Sequence, residues 1–314
     1  MVYSVQSSYK DPTHKEIKVA RKRRPVIYML TVFGDESHDP KQQRVFAIAG
    51  VIGTQEEWYA LEPGWLSRNN GIPFHATDCE AGCGSYKGMS KDDRLCLYRD
   101  LVQIVIDTKL MGFGSAIDLG AYNAYFPDNI VDIAYYLCFR NVVMHFAQLA
   151  YLHVPQQKVK FIFHQNHKVQ HSASALYDCI VNDFTEWKYS LSLHEEIAFV
   201  SDKAVGIQLA DLLARETFKF VDNRIINTSD NKHPVRKSIL ALSDTDRFNF
   251  EFYGEEYFQS FKAKFEELEQ VTGMSRDKYS EWLQSKGLKT DNFPNRVAYL
   301  ADTVEKERDK SKVF

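Results

Sequence analysis

Along the chain, apolar positions alternate between short continuous runs and longer repeats at helical spacing, the order expected of an α/β protein. The run Ile27-Tyr28-Met29-Leu30-Thr31-Val32-Phe33 is apolar and β-branched and reads as a buried strand. It passes without a gap into Gly34-Asp35-Glu36-Ser37, which puts two adjacent carboxylates at the carboxyl end of a core strand. Unpaired negative charge is costly there unless a cation or ligand joins it. A turn that happens to begin with these polar residues would look the same.

The polar turn at 38–42 leads to a second strand, Val45–Ile52, and so short a connection implies an antiparallel hairpin. Trp58–Trp65 predicts a short helix covering the sheet, and Phe74–Tyr86 a glycine-rich loop that no secondary-structure period explains. Leu95, Leu97, Leu101, Ile104 and Val105 mark a helix over 91–109, followed by a third strand over 110–119 with Asp118 near its end. Residues 130–154 predict a long helix that is apolar on most sides. A fourth strand, Val159–Phe163, ends in His164-Gln165-Asn166-His167. Then come a crossover helix over 172–184, a fifth strand over 196–200, and a helix over 206–221 carrying Gln208, Asp211, Arg215 and Glu216.

Two hairpins followed by two helical crossovers make a mixed five-stranded sheet flanked by helices, with the first strand in the middle beside the fourth. Ligands of such sheets bind beyond the carboxyl ends of the central strands, where Asp35 and the His164 cluster would face each other. Residues 222–254 read as polar and irregular apart from a helical stretch over 235–242. Two more helices follow, one on Phe258, Phe261, Phe265 and Leu268 and one over 279–286, before a charged tail at 305–312. The expected organisation is a basic arm over 1–25, one domain over 26–225 and a helical extension over 226–314.

The totals narrow this picture. The chain of 314 residues is 44% apolar and 26% charged, ordinary for a globular protein. Its formal net charge of -3 and pI near 6.4 give no global reason to bind polyanions. Nucleic-acid contact would need a local patch such as Lys15 to Arg24, which reads equally well as a solvated flank. Five cysteines, with no secretory signal at the amino terminus, predict reduced thiols and a cytoplasmic location. The apolar segment 130–154 is interrupted by Asp132, Arg140, Asn141, His145 and Gln148, so no bilayer span is expected.

Asp35, Glu36, Asp118 and Asp211 come from distant segments whose predicted ends converge. Two carboxylates plus substrate phosphate suffice for magnesium or manganese, and a pair of such ions can activate water and steady the leaving oxygen of a phosphodiester. Asp211 stands inside the apolar octet Ile207–Ala214, an uncommon place for a solvated acid. His75, Cys79 and Cys83 recur every four residues and could hold structural zinc, although no second Cys/His pair follows to complete four ligands; a zinc-dependent hydrolase is a separate, third reading. His145 and His153 read as packed or solvent-facing side chains, and the Phe258 stripe as core packing.

With these motifs in order, the chain resembles the family catalogued as domain of unknown function 3800, which has a ribonuclease H-like fold. The likeness lies in Gly34-Asp35-Glu36-Ser37, the strand Phe46–Gly53, the loop Phe74-His75-Ala76-Thr77-Asp78 and Ser201-Asp202-Lys203 leading to Gly206–Asp211, within residues 26–222. The resemblance implies a metal-dependent nuclease in which Asp35 and Asp211 are metal carboxylates. Glu36, His75, Asp78 and Gln208 would line the site, and Ser37 and Lys203 would add substrate contacts. His75 would orient a phosphate or move a proton. Ribonuclease H-like enzymes usually place an acid just after the fourth strand. Here that position holds His164, so His164, Asp118 or Glu36 would have to complete the metal shell. Families of this kind often look like parts of mobile-element or phage-defence systems, which implies a nucleic-acid substrate and a protein partner in a defence complex. The rival expectation is a module that kept the fold, lost the chemistry and binds nucleic acid or protein.

Overall fold

The computed structural model describes residues 29–125, 130–165, 170–182, 188–226, 233–260 and 262–263. The basic arm, His167, most of the stripe beyond Phe258, the helix at 279–286 and the charged tail lie outside these residues.

Six strands form one mixed sheet. They are β1 (Leu30–His38), β2 (Val45–Gly53), β3 (Met111–Asp118), β4 (Val159–His164), β5 (Ala198–Val200) and β6 (Phe248–Tyr253), in the order β5-β4-β1-β2-β3-β6. β1, β2 and β3 form an antiparallel meander, β4 and β5 add parallel on the β1 side, and β6 adds parallel to β3. The helices are α1 (Gln55–Arg68), α2 (Ala76–Ala81), α3 (Lys91–Ile106), α4 (Leu119–Tyr125), α5 (Ile130–His153), α6 (Gln170–Asn182), α7 (Val205–Ile225) and α8 (Lys237–Ser243).

Three differences from the sequence reading matter. The sheet has six strands rather than five, because Phe248-Asn-Phe-Glu-Phe-Tyr, expected to be irregular, pairs with β3. The region read as a helical extension therefore supplies a sheet edge. The loop at 74–86 contains α2, started by His75 as N-cap and ended by Gly82 at φ 70, a left-handed backbone that suits glycine. Asp35, Glu36 and Ser37 do not follow the first strand but lie within it, paired with Ala49, Ile48 and Ala47.

All nine residues of β2 are buried, as expected of a central strand covered on both faces. One face packs α5 through Val142 and Phe146, which fill the space above Gly50, where a Cβ would stand 2.8 Å from Phe146. The other face packs α7, in which 15 of 21 residues are buried. Close approach of α7 to β1 depends on Gly206, whose added Cβ would meet the Phe33 ring at 2.3 Å. The β1–β2 turn is closed by the buried Asp39 carboxylate, which accepts from the backbone N–H groups of Gln43 (3.1 Å), Arg44 (2.9 Å) and Val45 (3.2 Å).

No helix among the described residues is long and apolar enough to cross a membrane, in keeping with the polar interruptions of α5.

Candidate functional site

Strand alternation decides which acids of β1 can meet α7. Asp35 is aligned with Ala49, whose side chain belongs to the α7 side of the core, whereas Glu36 is aligned with Ile48 on the α5 side. Asp35 and Ser37 thus face α7, and both are buried. Glu36 turns to the opposite face. There its charge adds to the burial that holds the Tyr135 hydroxyl well above its ordinary range, while its backbone N–H donates to Asp35 Oδ1 at 2.9 Å and its charge raises Asp35.

Asp35 sits 5% exposed and Asp211, on the buried stripe of α7, 6%. Burial pushes the Asp35 carboxyl up to about 7; the His164 hydrogen bond pulls it back, and the charges of Glu36 and Asp211 push it further. Burial also raises Asp211, against the pull of His75, the Ala76 N–H, Arg215 and His164. The charge of Asp211 is therefore felt at Asp35.

α7 carries three buried acids, and their partners differ. Asp222 pairs with Arg44 at 2.9 Å and Lys219 at 3.1 Å, and Glu216 with Arg236 at 2.9 Å. Asp211 has no ion-pair partner among the described residues; its Oδ2 accepts one backbone N–H, from Ala76, at 2.6 Å. That bond fixes the start of α2, and with it His75 and Asp78, against the acid. The nearest arginine along the helix, Arg215, is already bound to Glu80.

His164 ends β4 beside β1, and its Nδ1 lies 3.2 Å from Asp35 Oδ1. The Asp35 hydrogen bond raises its pKa to about 9 against the effect of burial. At neutral pH it is an imidazolium, with both ring nitrogens protonated and no lone pair to offer. In this arrangement His164 is the cationic partner of Asp35, and it could serve a metal only by giving up that proton.

Three expectations are corrected. Asp118 is not brought to the acid pair. Asp35 is aligned through Ala49 with Gly114, so Asp118 stands four residues further along β3, about 13 Å at the usual rise. It is also two strands away, and its Oδ1 accepts from the Ala121 N–H at 3.0 Å, capping α4. Gln208 is not open to substrate: buried, it accepts from Trp65 Nε1 (2.8 Å), the Phe74 N–H (2.9 Å) and Asn69 Nδ2 (3.4 Å), and donates to the Lys203 carbonyl at 3.2 Å. It locks α1 and the α1–α2 connection onto α7. Asp78 is engaged by the turn that follows α2, accepting from the Cys83 thiol at 3.2 Å. His75 remains half-exposed, its Nδ1 3.5 Å from Asp78 Oδ1, and the Lys203 side chain is exposed just ahead of α7.

No protein-family model and no curated protein matches the chain.

Among the described residues no group of three or more His, Cys, Asp and Glu side chains is arranged to hold a metal ion. The donor chemistry of the acid pair still suits one kind of ion. Two carboxylates with raised proton affinity are the donors a hard divalent cation uses when water and substrate oxygens complete its shell. Zinc is a poorer match. Cys79 is buried with its thiol pushed up to about 11 by burial, and the Cys83 thiol spends its proton on Asp78. The described cysteines, Cys79, Cys83, Cys96 and Cys138, are all free.

Proposed function

We propose that the chain is a divalent-metal-dependent phosphodiesterase with a ribonuclease H-like fold, related to the domain of unknown function 3800 family and acting on DNA or RNA. The observation that carries this reading is the buried acid pair, one member from the strand in the middle of a mixed sheet and one from the helix packed on it, with Asp211 left without a cation. Asp35 and Asp211 would hold magnesium or manganese. When bound, such ions activate a water and stabilise the leaving oxygen of a phosphodiester.

The chain's own groups supply the rest. His75, at the N-cap of α2 and within electrostatic reach of Asp211, orients a phosphate or carries a proton. Lys203 offers positive charge to the backbone of the nucleic acid at the start of α7. Asp78 sets the His75 ring, and Ser37 lies on the same face of β1 as Asp35. His164 balances the Asp35 charge until a cation enters.

A second reading is favoured by His164 itself. An imidazolium placed against Asp35 neutralises one acid without any metal, as it would in a module that binds nucleic acid or protein and no longer cuts. Cleavage of labelled single- and double-stranded DNA and RNA with magnesium or manganese separates the two. Asp35→Asn and Asp211→Asn should each lower cleavage at least about 100-fold, since changes beside a metal already cost 10- to 100-fold. Equal cleavage by wild type and both variants sinks the nuclease reading. Binding without cleavage on every substrate supports the second.

A further inference from the structure

Across α2 from the acid pair, α3, α7 and α8 enclose a cavity of about 690 Å³, within the range of small-ligand sites. Basic side chains dominate its lining, although Arg99, Lys219 and Arg236 are already paired with Asp100, Asp222 and Glu216 behind it. Lys91, Arg94, Arg99, Lys219, Arg236 and Lys237 border it against a single acid, Glu80. Glu80 has nothing to spare: it is bound by Arg215 at 2.7 Å and by Arg236, and those two guanidinium groups hold its carboxyl low despite burial. Lys91 and Lys237 have no ion-pair partner among the described residues. Arg94 spends Nη1 on the carbonyls of Cys79 (2.8 Å) and Glu80 (2.6 Å), while its buried Nε has no hydrogen-bond partner in the structure. An unsatisfied guanidinium N–H is costly to bury; Arg94 meets the cavity through the rest of its side chain.

The remaining wall is apolar, formed by Leu95, Val102 and Ile106 of α3 and Ala241 of α8, with the Arg236 guanidinium lying 5.1 Å over the Tyr98 ring. Leu95 is 58% exposed, a large apolar side chain at the rim. The cavity thus joins a cationic end, suited to phosphate, to an apolar side, suited to a flat ring. Tyr98 is rigidly held, donating to Glu216 at 2.6 Å, and Ser238 donates to the other Glu216 oxygen at 2.5 Å. The walls are therefore set before any ligand arrives.

We propose that this cavity binds a nucleoside phosphate as a small-molecule ligand, separate from the acid pair. The inference does not depend on the nuclease reading, because none of its residues belongs to that site. α2 links the two: Glu80 and Cys79 line the cavity, and the Ala76 N–H at the other end of the same helix holds Asp211. A ligand that shifts α2 would be felt at Asp211.

Calorimetric titration of the full chain with adenosine and guanosine mono-, di- and triphosphates, inorganic phosphate, uncharged nucleosides and a short oligonucleotide tests this. Nucleoside phosphates should bind at least about tenfold more tightly than phosphate or nucleoside alone. The double variant Lys91→Glu/Lys237→Glu, both solvent-facing and free of ion pairs, should weaken that binding at least tenfold while leaving the ligand-free melting temperature unchanged. Asp35→Asn should leave it intact, which keeps this result distinct from the fate of the nuclease reading. The proposal is overturned if no nucleoside phosphate binds, if phosphate binds equally well, if the double variant binds like wild type, or if only the oligonucleotide binds. The last outcome would make the cavity part of a strand-binding groove.

Discussion

His145 and His164 show how far packing sets the chemistry of a residue. His145 of α5 stacks on Phe113 with ring centroids 4.0 Å apart, and burial lowers its pKa to about 4. His164 finds Asp35, and its pKa rises to about 9. The signs for stability are opposite. A depressed folded-state value means that His145 contributes stability above its ordinary value of 6.5, lost as pH falls through about 4. A raised one means that His164 contributes stability below 6.5, lost as pH rises through about 9. In metal-free protein, the melting temperature of His145→Phe should gain on wild type progressively as pH drops from 6.5 to 4. The deficit of His164→Gln should be largest below pH 6.5, shrink as pH rises and vanish above pH 9. Thermal unfolding across this range decides both. A His164→Gln deficit that persists unchanged at pH 10 would mean that the ion pair with Asp35 does not carry the effect.

At the level of elements, the contact between α7 and β1 is the joint that brings Asp211 to Asp35, and Gly206 sets how close it is. Gly206→Ala would place a methyl 2.3 Å from the Phe33 ring. Such overpacking costs about 1–3 kcal/mol and should displace the helix rather than unfold the chain. Denaturant unfolding should show that loss with an unchanged slope, and cleavage should fall more than the stability loss explains; wild-type activity in the variant would break the link between the joint and the site. Most of the framework behind this joint was legible in the residues. The β1, β2 and β4 patterns, the long α5 and the apolar octet around Asp211 each carry a clear period. β6 was missed although Phe248, Phe250 and Phe252 alternate, because the polar residues between them masked a short edge strand. α2 was missed because six residues are too few for a period, and its start depends on a cap and a tertiary bond from Ala76 to Asp211. Glu36 and Asp118 could not be sorted from Asp35 without register, since one residue of shift changes the face and four change the location.

Over the whole molecule, the charges buried on α7 divide the chain's interests. Glu216 and Asp222 are paired and tie α7 to α8 and to the β1–β2 turn, so they serve the fold. Asp211 takes one backbone hydrogen bond and faces another acid, an arrangement that works against stability. Polar groups retained at such a cost are characteristic of functional sites. Asp211→Asn keeps an oxygen for the Ala76 N–H and removes the buried charge. It should therefore raise the metal-free melting temperature by a few degrees, as expected for about 1 kcal/mol in a large domain. Wild type should instead be stabilised by magnesium or manganese, by about 2.7 kcal/mol when the ion is at 100 times its dissociation constant. That gain should grow with pH, because protons compete for Asp35, and should disappear in Asp211→Asn. Calorimetric scans with and without the ion read all three effects. If Asp211→Asn melts lower than wild type without metal, Asp211 is a structural acid and the cation site has lost its main support.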